Sequence, residues 1–358
     1  MVAPSLLISP TLSLQSKLIV KTDIILDVYL HTAASSVAVG GGGRSQTVTT
    51  QAFPNSWQQK VISSLSRLSD QINLKFRLVN QPEKAELAIY IDTEINMGDS
   101  SGITFGLAVP NLNPTSGRNW WEIFLNGPQL QSSSSDFVDY VFIHEIGHIL
   151  GLEHPFDNSD GDFYQSTNPQ LSAFPNQTVM AYREPQQGAW PSFYSSNDLL
   201  ALQQIWGIAP RADELTSIYR LYNPATDGHF YTVKQTEVDL LTGANGAGFI
   251  NEGVAYRTTA VNSQSLYRFY QPGSGRHFYS ANDSERDLLI SNSTLGYIYE
   301  GPVYQVYAAT AAPLNSQPVV RFYDPATASH FYSANAVEQQ ILQTSRPNWV
   351  MEGVAWYV

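Results

Sequence analysis

The chain has 358 residues, with 19 Lys and Arg against 31 Asp and Glu, so its charge of −12 lacks the basic surface that nucleic-acid phosphates attract. Hydrophobic residues make up 43% of the chain and charged residues 14%, which excludes a disordered chain and predicts two or three packed domains. Cysteine is absent, so any metal must be held by His, Asp or Glu.

The N-terminal segment, residues 1–16, contains Pro, Ser and Leu without periodicity, and we predict that it is a tail. It has neither the basic region nor the sustained apolar region of a Sec-type signal peptide. Since no stretch approaches roughly 18 consecutive apolar residues, we also expect no membrane span.

Residues 17–207 mix strand and helix patterns within one unit, which predicts a single α+β or α/β domain. Helices are predicted at 57–72, where apolar residues recur at helical spacing, and from about 135 to 150. The predicted strands are 23–30, 74–79, 86–92, 103–109 and 120–126.

The segment FIHEIGHILGLEHP carries the strongest chemical signal in the chain. His144 and His148 are four residues apart, so on a helix both face one ion, and Glu145 lies beside them. Gly151 can adopt positive φ and end the helix, which lets the chain turn back and bring His154 to the same ion. Three neutral imidazoles around zinc leave a position for water, as catalytic zinc sites require. The spacing disfavours the alternative, a core helix with incidental histidines.

The run HEIGHILGLEHP resembles the elongated zinc motif of the metzincin metallopeptidases. Downstream, TVMAYRE supplies Met180 and Tyr182, which resemble the Met-turn of the serralysin branch, and residues 196–207 resemble the helix that closes serralysin catalytic domains. The resemblance covers about residues 17–207. It implies a metzincin-type catalytic domain, a twisted mixed sheet with an active-site helix, that hydrolyses peptide bonds with zinc.

The resemblance implies that His144, His148 and His154 bind the zinc, which activates a water and polarises the scissile carbonyl. Glu145 then takes the proton of that water and delivers it to the leaving amine.

Two further roles come from the same resemblance. Tyr182 ligates zinc at rest and swings away to hydrogen-bond the oxyanion, the alternative being an ordinary core or surface tyrosine. Met180 is expected to pack beneath the metal without binding it.

Peptide substrates are expected to lie extended along a strand edge, because such pairing satisfies their backbone groups. The run NWWEIFLN, just upstream of the zinc helix, is the candidate edge. Its predicted substrate-binding residues are Trp120, Trp121, Glu122 and Ile123. An ordinary internal strand is an equally good interpretation of this run.

The stretch DNSDGD follows the zinc motif and concentrates three carboxylates, Asp157, Asp160 and Asp162, around a glycine. Hard oxygen ligands at such spacing could hold a structural calcium ion. A solvated acidic turn is the other interpretation, because the stretch is not an EF-hand loop.

Residues 208–217 are polar, contain a proline and are predicted to be a linker. Three similar copies of one unit follow, at 218–257, 266–307 and 318–358. Each copy is predicted to form strand, turn, strand, short helix and final strand. We expect the three to close around a pseudo-threefold axis in a mostly β domain.

The copies share three residue types at matching positions. A histidine recurs at His229, His277 and His330; these could meet on the axis as a second metal site, but packing within aromatic strands is the simpler expectation. The other shared positions are Arg220, Arg268 and Arg321 with Glu252, Glu300 and Glu352. They predict an Arg–Glu pair in each copy that joins its first and last strands.

The repeats resemble a tandem family that is often attached to secreted bacterial hydrolases. This implies attachment to a polysaccharide or cell-surface ligand through exposed aromatic side chains. A tyrosine-rich core without a ligand is the open alternative.

Together these features predict a secreted, monomeric zinc endopeptidase that acts on protein or peptide substrates, followed by an attachment module. No nucleic-acid partner is expected. The rival interpretation is a carbohydrate- or cell-surface-binding protein whose zinc domain is vestigial.

Overall fold

The computed structural model describes nine stretches of the chain: residues 2–20, 24–40, 46–95, 103–112, 117–211, 214–243, 246–258, 264–308 and 310–358. It divides into two compact units, which we call unit 1 (Met1–Ala209) and unit 2 (Pro210–Val358). None of the helices in these stretches has the length and apolar run that crossing a bilayer requires.

The described residues of unit 1 form five α-helices and seven strands. The helices are α1 (Pro10–Val20), α2 (Asn55–Ser69), α3 (Gly127–Gln131), α4 (Ser135–Ile149) and α5 (Ser196–Trp206). The strands are β1 (Ile25–Leu30), β2 (Ser36–Val39), β3 (Gln46–Thr49), β4 (Lys75–Leu78), β5 (Leu87–Asp92), β6 (Gly106–Leu112) and β7 (Asn119–Asn126). The predicted helices and strands agree with α2, α4, α5, β1, β4, β5, β6 and β7 within a few residues at each end, whereas α1, β2, β3 and α3 were not predicted.

Five of the strands form one mixed sheet in the order β4-β1-β5-β7-β6. The first four run parallel, and β6 returns antiparallel to β7. Every residue of β5 is buried, as expected for a parallel strand at the centre of a sheet covered on both faces. α4 packs against β6 and β7 on one face. The β2–β3 hairpin covers the other face, where Val39 packs with Tyr90 and Phe124.

The position of β7 corrects the prediction that NWWEIFLN is the substrate edge. β7 lies between β5 and β6, so both of its backbone sides are already paired and no substrate strand can add to it. Its four predicted substrate-binding residues, Trp120, Trp121, Glu122 and Ile123, are all buried. The edge strand on this side of the sheet is β6.

The N-terminal segment corrects a second prediction, because residues 1–16 are not a tail. Leu7 is fully buried, and α1 begins at Pro10. The Ser16 hydroxyl donates a hydrogen bond of 2.6 Å to the carbonyl of Ile149, at the end of α4. The segment has no periodicity of its own because its burial comes from a part of the chain more than a hundred residues away.

In the part that the structure describes, unit 2 forms three three-stranded sheets, each with one α-helix. Their strand orders are β10-β8-β9, β12-β11-β13 and β15-β14-β16. The strands are β8 (Thr216–Asn223), β9 (Gly228–Thr232), β10 (Ile250–Thr258), β11 (Gln264–Gln271), β12 (Arg276–Ser280), β13 (Ile298–Val306), β14 (Pro318–Asp324), β15 (Ser329–Ser333) and β16 (Val350–Tyr357). The helices are α6 (Gln235–Thr242), α7 (Asp283–Ser291) and α8 (Ala336–Ser345). In each sheet the middle strand is the first of its copy.

Three buried tyrosines, one from each sheet, connect the copies. The hydroxyl of Tyr279 bonds both the amide and the carbonyl of Tyr231, at 2.8 and 3.2 Å. The hydroxyl of Tyr332 bonds the amide and the carbonyl of Tyr279 in the same way, and the hydroxyl of Tyr231 bonds the amide and the carbonyl of Tyr332. These six hydrogen bonds form a closed ring, which we call the tyrosine ring.

The predicted Arg–Glu pairs within the copies are confirmed. Arg220 donates to Glu252 at 2.7 Å, and the other two copies repeat this bond at the same distance. Each arginine also pairs with a glutamate on the helix of another copy, as Arg220 does with Glu338 at 2.9 Å. The ion pairs therefore join copies as well as strands.

The three repeated histidines lie apart, each in its own sheet. Each ring contacts a tyrosine of the same copy at a tilted angle and a phenylalanine of another copy in a T-shaped arrangement. Among the described residues they do not form a group that could hold a metal ion.

Candidate metal centre

Three imidazoles converge at the end of α4. His144 and His148 lie one turn apart on this helix, and Gly151 ends it with a φ of +105°, a conformation that favours glycine. The chain then turns back, so that the Nε2 atom of His154 lies 3.2 Å from that of His144 and 3.1 Å from that of His148.

Hydrogen bonds of the other ring nitrogens decide which nitrogens carry protons. His144 Nδ1 lies 2.8 Å from the carbonyl of Val179, and His148 Nδ1 lies 2.9 Å from the carbonyl of Leu152. A carbonyl only accepts hydrogen bonds, so both Nδ1 atoms are protonated and both Nε2 atoms present lone pairs to the shared centre.

This donor set fits a zinc ion. Zinc–nitrogen bonds of about 2.0–2.1 Å in tetrahedral geometry place ligand nitrogens roughly 3.3 Å apart, close to the separations seen here. Burial lowers the pKa of His144 to about 3, with help from the charge of His148, and burial lowers the pKa of His148 to about 4. Both rings are therefore neutral at physiological pH, as metal ligands must be.

Glu145 lies next to this centre under the edge strand. It is buried and accepts a hydrogen bond from the backbone amide of Ala108 on β6, and burial raises the pKa of its carboxyl to about 8. A Cβ on Gly106 would lie 2.5 Å from Glu145 Oε1, so only glycine leaves room for the carboxylate here. Glu145 and His144 line a cavity of about 490 Å³ whose other walls include the aromatic residues Phe105, Phe137, Tyr140 and Trp190.

Tyr182 and Met180, both predicted from the resemblance, lie on different sides of the centre. The Tyr182 ring is 4.6 Å from the ring of His154 between centroids, and 52% of the side chain is exposed. Met180 is fully buried, and a Cβ on Gly147 would lie 2.6 Å from its sulfur. Met180 therefore packs directly beneath α4.

Asp198, on α5, supports the centre and was missed by the sequence analysis. Its carboxylate accepts hydrogen bonds from the Thr178 hydroxyl at 2.6 Å and from the Val179 amide at 3.0 Å. It also closes a capping box with Ser195. The serine and the acidic residue three positions later are a sequence signal for such a cap. This signal predicts the cap, but it does not predict that the capping carboxylate also binds the turn at Thr178 and Val179, which positions His144.

The N-terminal segment supports the centre from the other side. The Ser9 amide donates to the carbonyl of Gly151, and the Glu153 amide donates to the carbonyl of Leu7, both at 3.0 Å. These bonds hold the turn that carries the chain from His148 to His154.

The predicted calcium ligands are only partly brought together. Asp160 and Asp162 form a group with Glu153, with one oxygen from each within 4.8 Å of the others. Asp157 is not in this group and instead accepts a hydrogen bond from the amide of Ser159. Burial raises the pKa of Glu153 to about 7, and Asp160 and Asp157 contribute to the same shift. Calcium binding stays a prediction, with Glu153 in the place predicted for Asp157.

Comparison with known proteins finds one family model and several curated relatives. A family model described as a domain of unknown function (DUF5648) matches residues 212–358. Serralysin B of Dickeya chrysanthemi is 27% identical over 194 residues, which cover 51% of this chain and 40% of the relative. Serralysin of Photorhabdus luminescens is 36% identical over 113 residues, 28% of this chain and 23% of the relative.

The matched part of the chain thus spans less than half the length of these curated relatives. The solved structure of myroilysin covers 53% of this chain and 95% of its own, with 16% sequence identity and a TM-score of 0.30. The similarity to serralysins, at modest identity, supports a serralysin-like or metzincin-like domain in this chain.

Proposed function

We propose that unit 1 is a zinc-dependent endopeptidase of metzincin type. The observation that carries this proposal is the convergence of three Nε2 atoms, from His144, His148 and His154, beside a buried carboxylate. The Nε2 atoms of His144 and His148 present lone pairs to this centre, and a cation held by all three rings would satisfy them. The serralysin relatives support the same assignment, although they match only part of this chain.

A zinc ion held by the three imidazoles would act as a Lewis acid toward a water and a peptide carbonyl. Glu145 takes a proton from the attacking water at its carboxylate oxygen and passes it to the nitrogen of the leaving amine. Burial favours the protonated form of Glu145, which is the form that must persist between these two transfers.

The exposed phenol of Tyr182 has two proposed tasks. Its position against His154 supports a role as a further ligand of the metal at rest. The same hydroxyl donates a hydrogen bond to the negative oxygen of the tetrahedral carbon during hydrolysis. Met180, packed beneath α4, holds the helix in place and touches no substrate.

The substrate pairs with β6 and not with β7. β6 is at the edge of the sheet, and its Gly106 and Ala108 lie against Glu145. A peptide extended along this edge has its scissile bond next to the carboxylate.

We propose that unit 2 attaches this peptidase to a polysaccharide or cell-surface ligand outside the cell, and that the protein works as a secreted monomer. The closed tyrosine ring supports a pseudo-threefold arrangement of the three copies. Exposed apolar residues at matching positions support a binding surface: Ile250, Ile298 and Val350. Replacing these three by serine in the full chain should reduce retention on an insoluble polysaccharide without changing peptide cleavage; unchanged retention would remove the support.

Peptide cleavage tests the main proposal. The purified chain, loaded with zinc, is incubated with a proteome-derived peptide library, with and without a chelator, and the new termini are sequenced. We expect cuts that the chelator prevents. Glu145→Gln should keep one zinc per chain and lose cleavage, whereas Asp139→Asn, on the same helix but at a surface pair with Lys60, should keep both. An intact library at full zinc loading would instead favour the binding protein with a vestigial zinc domain.

A further inference from the structure

A buried carboxylate on β7 takes no part in the chemistry described above. Glu122 is 3% exposed and accepts hydrogen bonds from the Asn111 side chain at 2.8 Å and from the Gly40 amide at 2.9 Å. All of its described partners are neutral, and no lysine or arginine in the described part of the chain forms an ion pair with it. A buried carboxylate that has only neutral partners is costly, because its charge loses hydration and gains no counter-charge.

Glu122 lines a cavity of about 410 Å³ between the β2–β3 hairpin and the edge of the sheet. Its walls include the apolar side chains of Val39, Leu107, Val109 and Phe124, together with the amide side chains of Asn111 and Gln46. Gln15 lines the same cavity, and its side-chain oxygen is buried without a hydrogen-bond partner among the described residues. The cavity therefore combines apolar side chains, one buried carboxylate without a positively charged partner among the described residues, and one amide oxygen without a hydrogen-bond donor among them.

These features define the chemistry of a ligand. The Glu122 carboxylate and the Gln15 side-chain oxygen would bind a ligand group that donates hydrogen bonds and carries a positive charge. The apolar side chains of the walls would pack against a hydrocarbon chain. Lysine and arginine side chains combine all three, since they bury an aliphatic stem and end in a charged group that only donates hydrogen bonds.

The register of β6 connects this cavity to the substrate. The Asn126 amide donates to the carbonyl of Phe105, so the backbone groups of Phe105 face β7. Orientation alternates along an antiparallel strand, so the backbone groups of Gly106, Ala108 and Pro110 point away from β7 toward the open edge. The nitrogen of Pro110, which has no hydrogen to donate, therefore faces the open edge and not β7. Edge positions of this kind are where strands tolerate proline.

Side chains alternate between the two faces of such a strand. Leu107 and Val109 point to the hairpin face and line the cavity, and Val109 lies directly opposite Glu122 in the antiparallel pair. A peptide added to β6 presents every second side chain on this same face. The backbone of this peptide lies two strand spacings, roughly 10 Å, from the backbone of β7. Lysine and arginine side chains are long enough to reach across this distance and donate a hydrogen bond to Glu122.

We propose that Glu122 is a specificity residue that binds a lysine or arginine side chain of a peptide paired with β6, at one position on the hairpin face. This inference rests on the endopeptidase function proposed for unit 1. It gives Glu122 a role through its side chain, which differs from the edge pairing first predicted for its strand.

Cleavage of a peptide series tests the proposal. In a quenched peptide that the enzyme cuts, lysine, arginine, norleucine and glutamine are placed in turn at each of four positions on either side of the bond. At one position we expect lysine and arginine to raise kcat/KM about tenfold or more over norleucine, the scale of a charge-assisted hydrogen bond. Glu122→Gln should lower kcat/KM for the lysine and arginine peptides to the level of the norleucine peptide, because glutamine preserves the size of the side chain and can still accept from Gly40 but carries no charge.

The matched control is Glu86→Gln, a buried carboxylate outside the cavity that accepts from the Asp27 amide. It should keep the preference for basic residues. A preference that survives Glu122→Gln would overturn the proposal and point to another carboxylate, such as Glu184 in the cavity beside Glu145. No preference at any position would overturn it as well.

Binding separates this proposal from the endopeptidase function. Zinc-loaded Glu145→Gln protein, with and without Glu122→Gln, is titrated with the lysine and norleucine peptides by calorimetry. Tighter binding of the lysine peptide that depends on Glu122 supports the cavity even if no peptide is ever cut. Equal binding of both peptides overturns the proposal even if the protein is a peptidase.

Discussion

The carboxylate of Asp198 accepts a hydrogen bond from the backbone amide of Val179 at 3.0 Å, and the carbonyl of the same Val179 accepts from Nδ1 of His144. One peptide segment thus connects the buried end of α5 to a proposed metal ligand. The orientation of His144 depends on a residue that never approaches the metal.

Asp198→Asn should weaken zinc binding by about ten- to a hundredfold, the usual cost of losing a supporting partner of a metal ligand. Asparagine has one acceptor oxygen where aspartate has two, so it cannot accept from the Thr178 hydroxyl as well as from the Val179 and Ser195 amides. Zinc affinity is measured by competition with a chromophoric chelator, and circular dichroism checks the fold. Asp139→Asn serves as the control; equal affinities in the two variants would contradict the supporting role.

Gly106→Ala should lower kcat about a hundredfold and leave zinc content unchanged, because a displacement of about 1 Å in a catalytic group has an effect of this size. The added Cβ would lie 2.5 Å from Glu145 Oε1 and 2.6 Å from its Cγ, so the side chain must move. Gly273→Ala, where a Cβ meets nothing within 4 Å, is the control for the substitution itself. Unchanged kcat in Gly106→Ala would mean that the position of the Glu145 carboxylate does not limit the reaction.

Tyr279→Phe should destabilise unit 2 by about 1–3 kcal/mol, because the amide and carbonyl of Tyr231 would lose their partner while staying buried. Hydrogen exchange of the full chain, followed by mass spectrometry, reports the peptides of unit 2 separately from those of unit 1. Tyr270→Phe, on the outer part of its sheet, should change these peptides little. A similar effect of both variants would show that the ring hydroxyls contribute no more than ordinary tyrosines.

The stability of unit 2 should fall as the pH falls from about 6.5 to about 4. Burial, with Arg220, lowers the pKa of His229 to about 4, and its counterparts in the other copies show the same shift. Below the unfolded pKa of about 6.5 the unfolded chain binds protons that the folded chain does not, so folding loses stability until the folded pKa is reached. Above about pH 6.5 the three histidines are neutral in both states, and this loss of stability is absent.

The carboxylates that surround His229 do not reverse this sign. Asp227 and Glu338 raise its pKa, but burial outweighs them, and Glu252 lies 3.6 Å from its Nε2. Arg220 lowers the pKa of Glu338, so this glutamate adds a further loss of stability at lower pH. Thermal melts between pH 7 and 5 should show a decline that is reduced when the three repeated histidines are replaced by glutamine; the same decline in both proteins would contradict this cause.

Local spacing is why the metal centre could be predicted. His144 and His148 are related by one helical turn, and Gly151 permits the turn that brings back His154, so all three positions follow from short-range geometry. The Arg–Glu pairs of unit 2 could be predicted for a related reason. Three copies of one pattern show which residues recur, and the recurrence singles out Arg220 and Glu252.

Strand order and remote packing are why other features could not be predicted. Whether β7 is an edge depends on where β6 adds, and the same eight residues would read identically in either place. The burial of Leu7 is decided by a turn near residue 151, and no pattern within residues 1–16 encodes it. Glu122 is surrounded by Gly40, Asn111 and Gln15, which are neighbours only after the hairpin and α1 have packed.

The tyrosine ring sets a limit on how unit 2 can vary. A row of repeats with free ends can lengthen or shorten by one copy, since each new copy meets the same kind of neighbour. In unit 2 the hydroxyl of Tyr231, in the first copy, bonds the backbone of Tyr332, in the last copy, so the set of copies has no free end. Deleting one copy would leave one tyrosine hydroxyl and the amide and carbonyl of one tyrosine without partners, and inserting a fourth would open the ring. The number three is therefore a property of the closed ring and not of the individual copy.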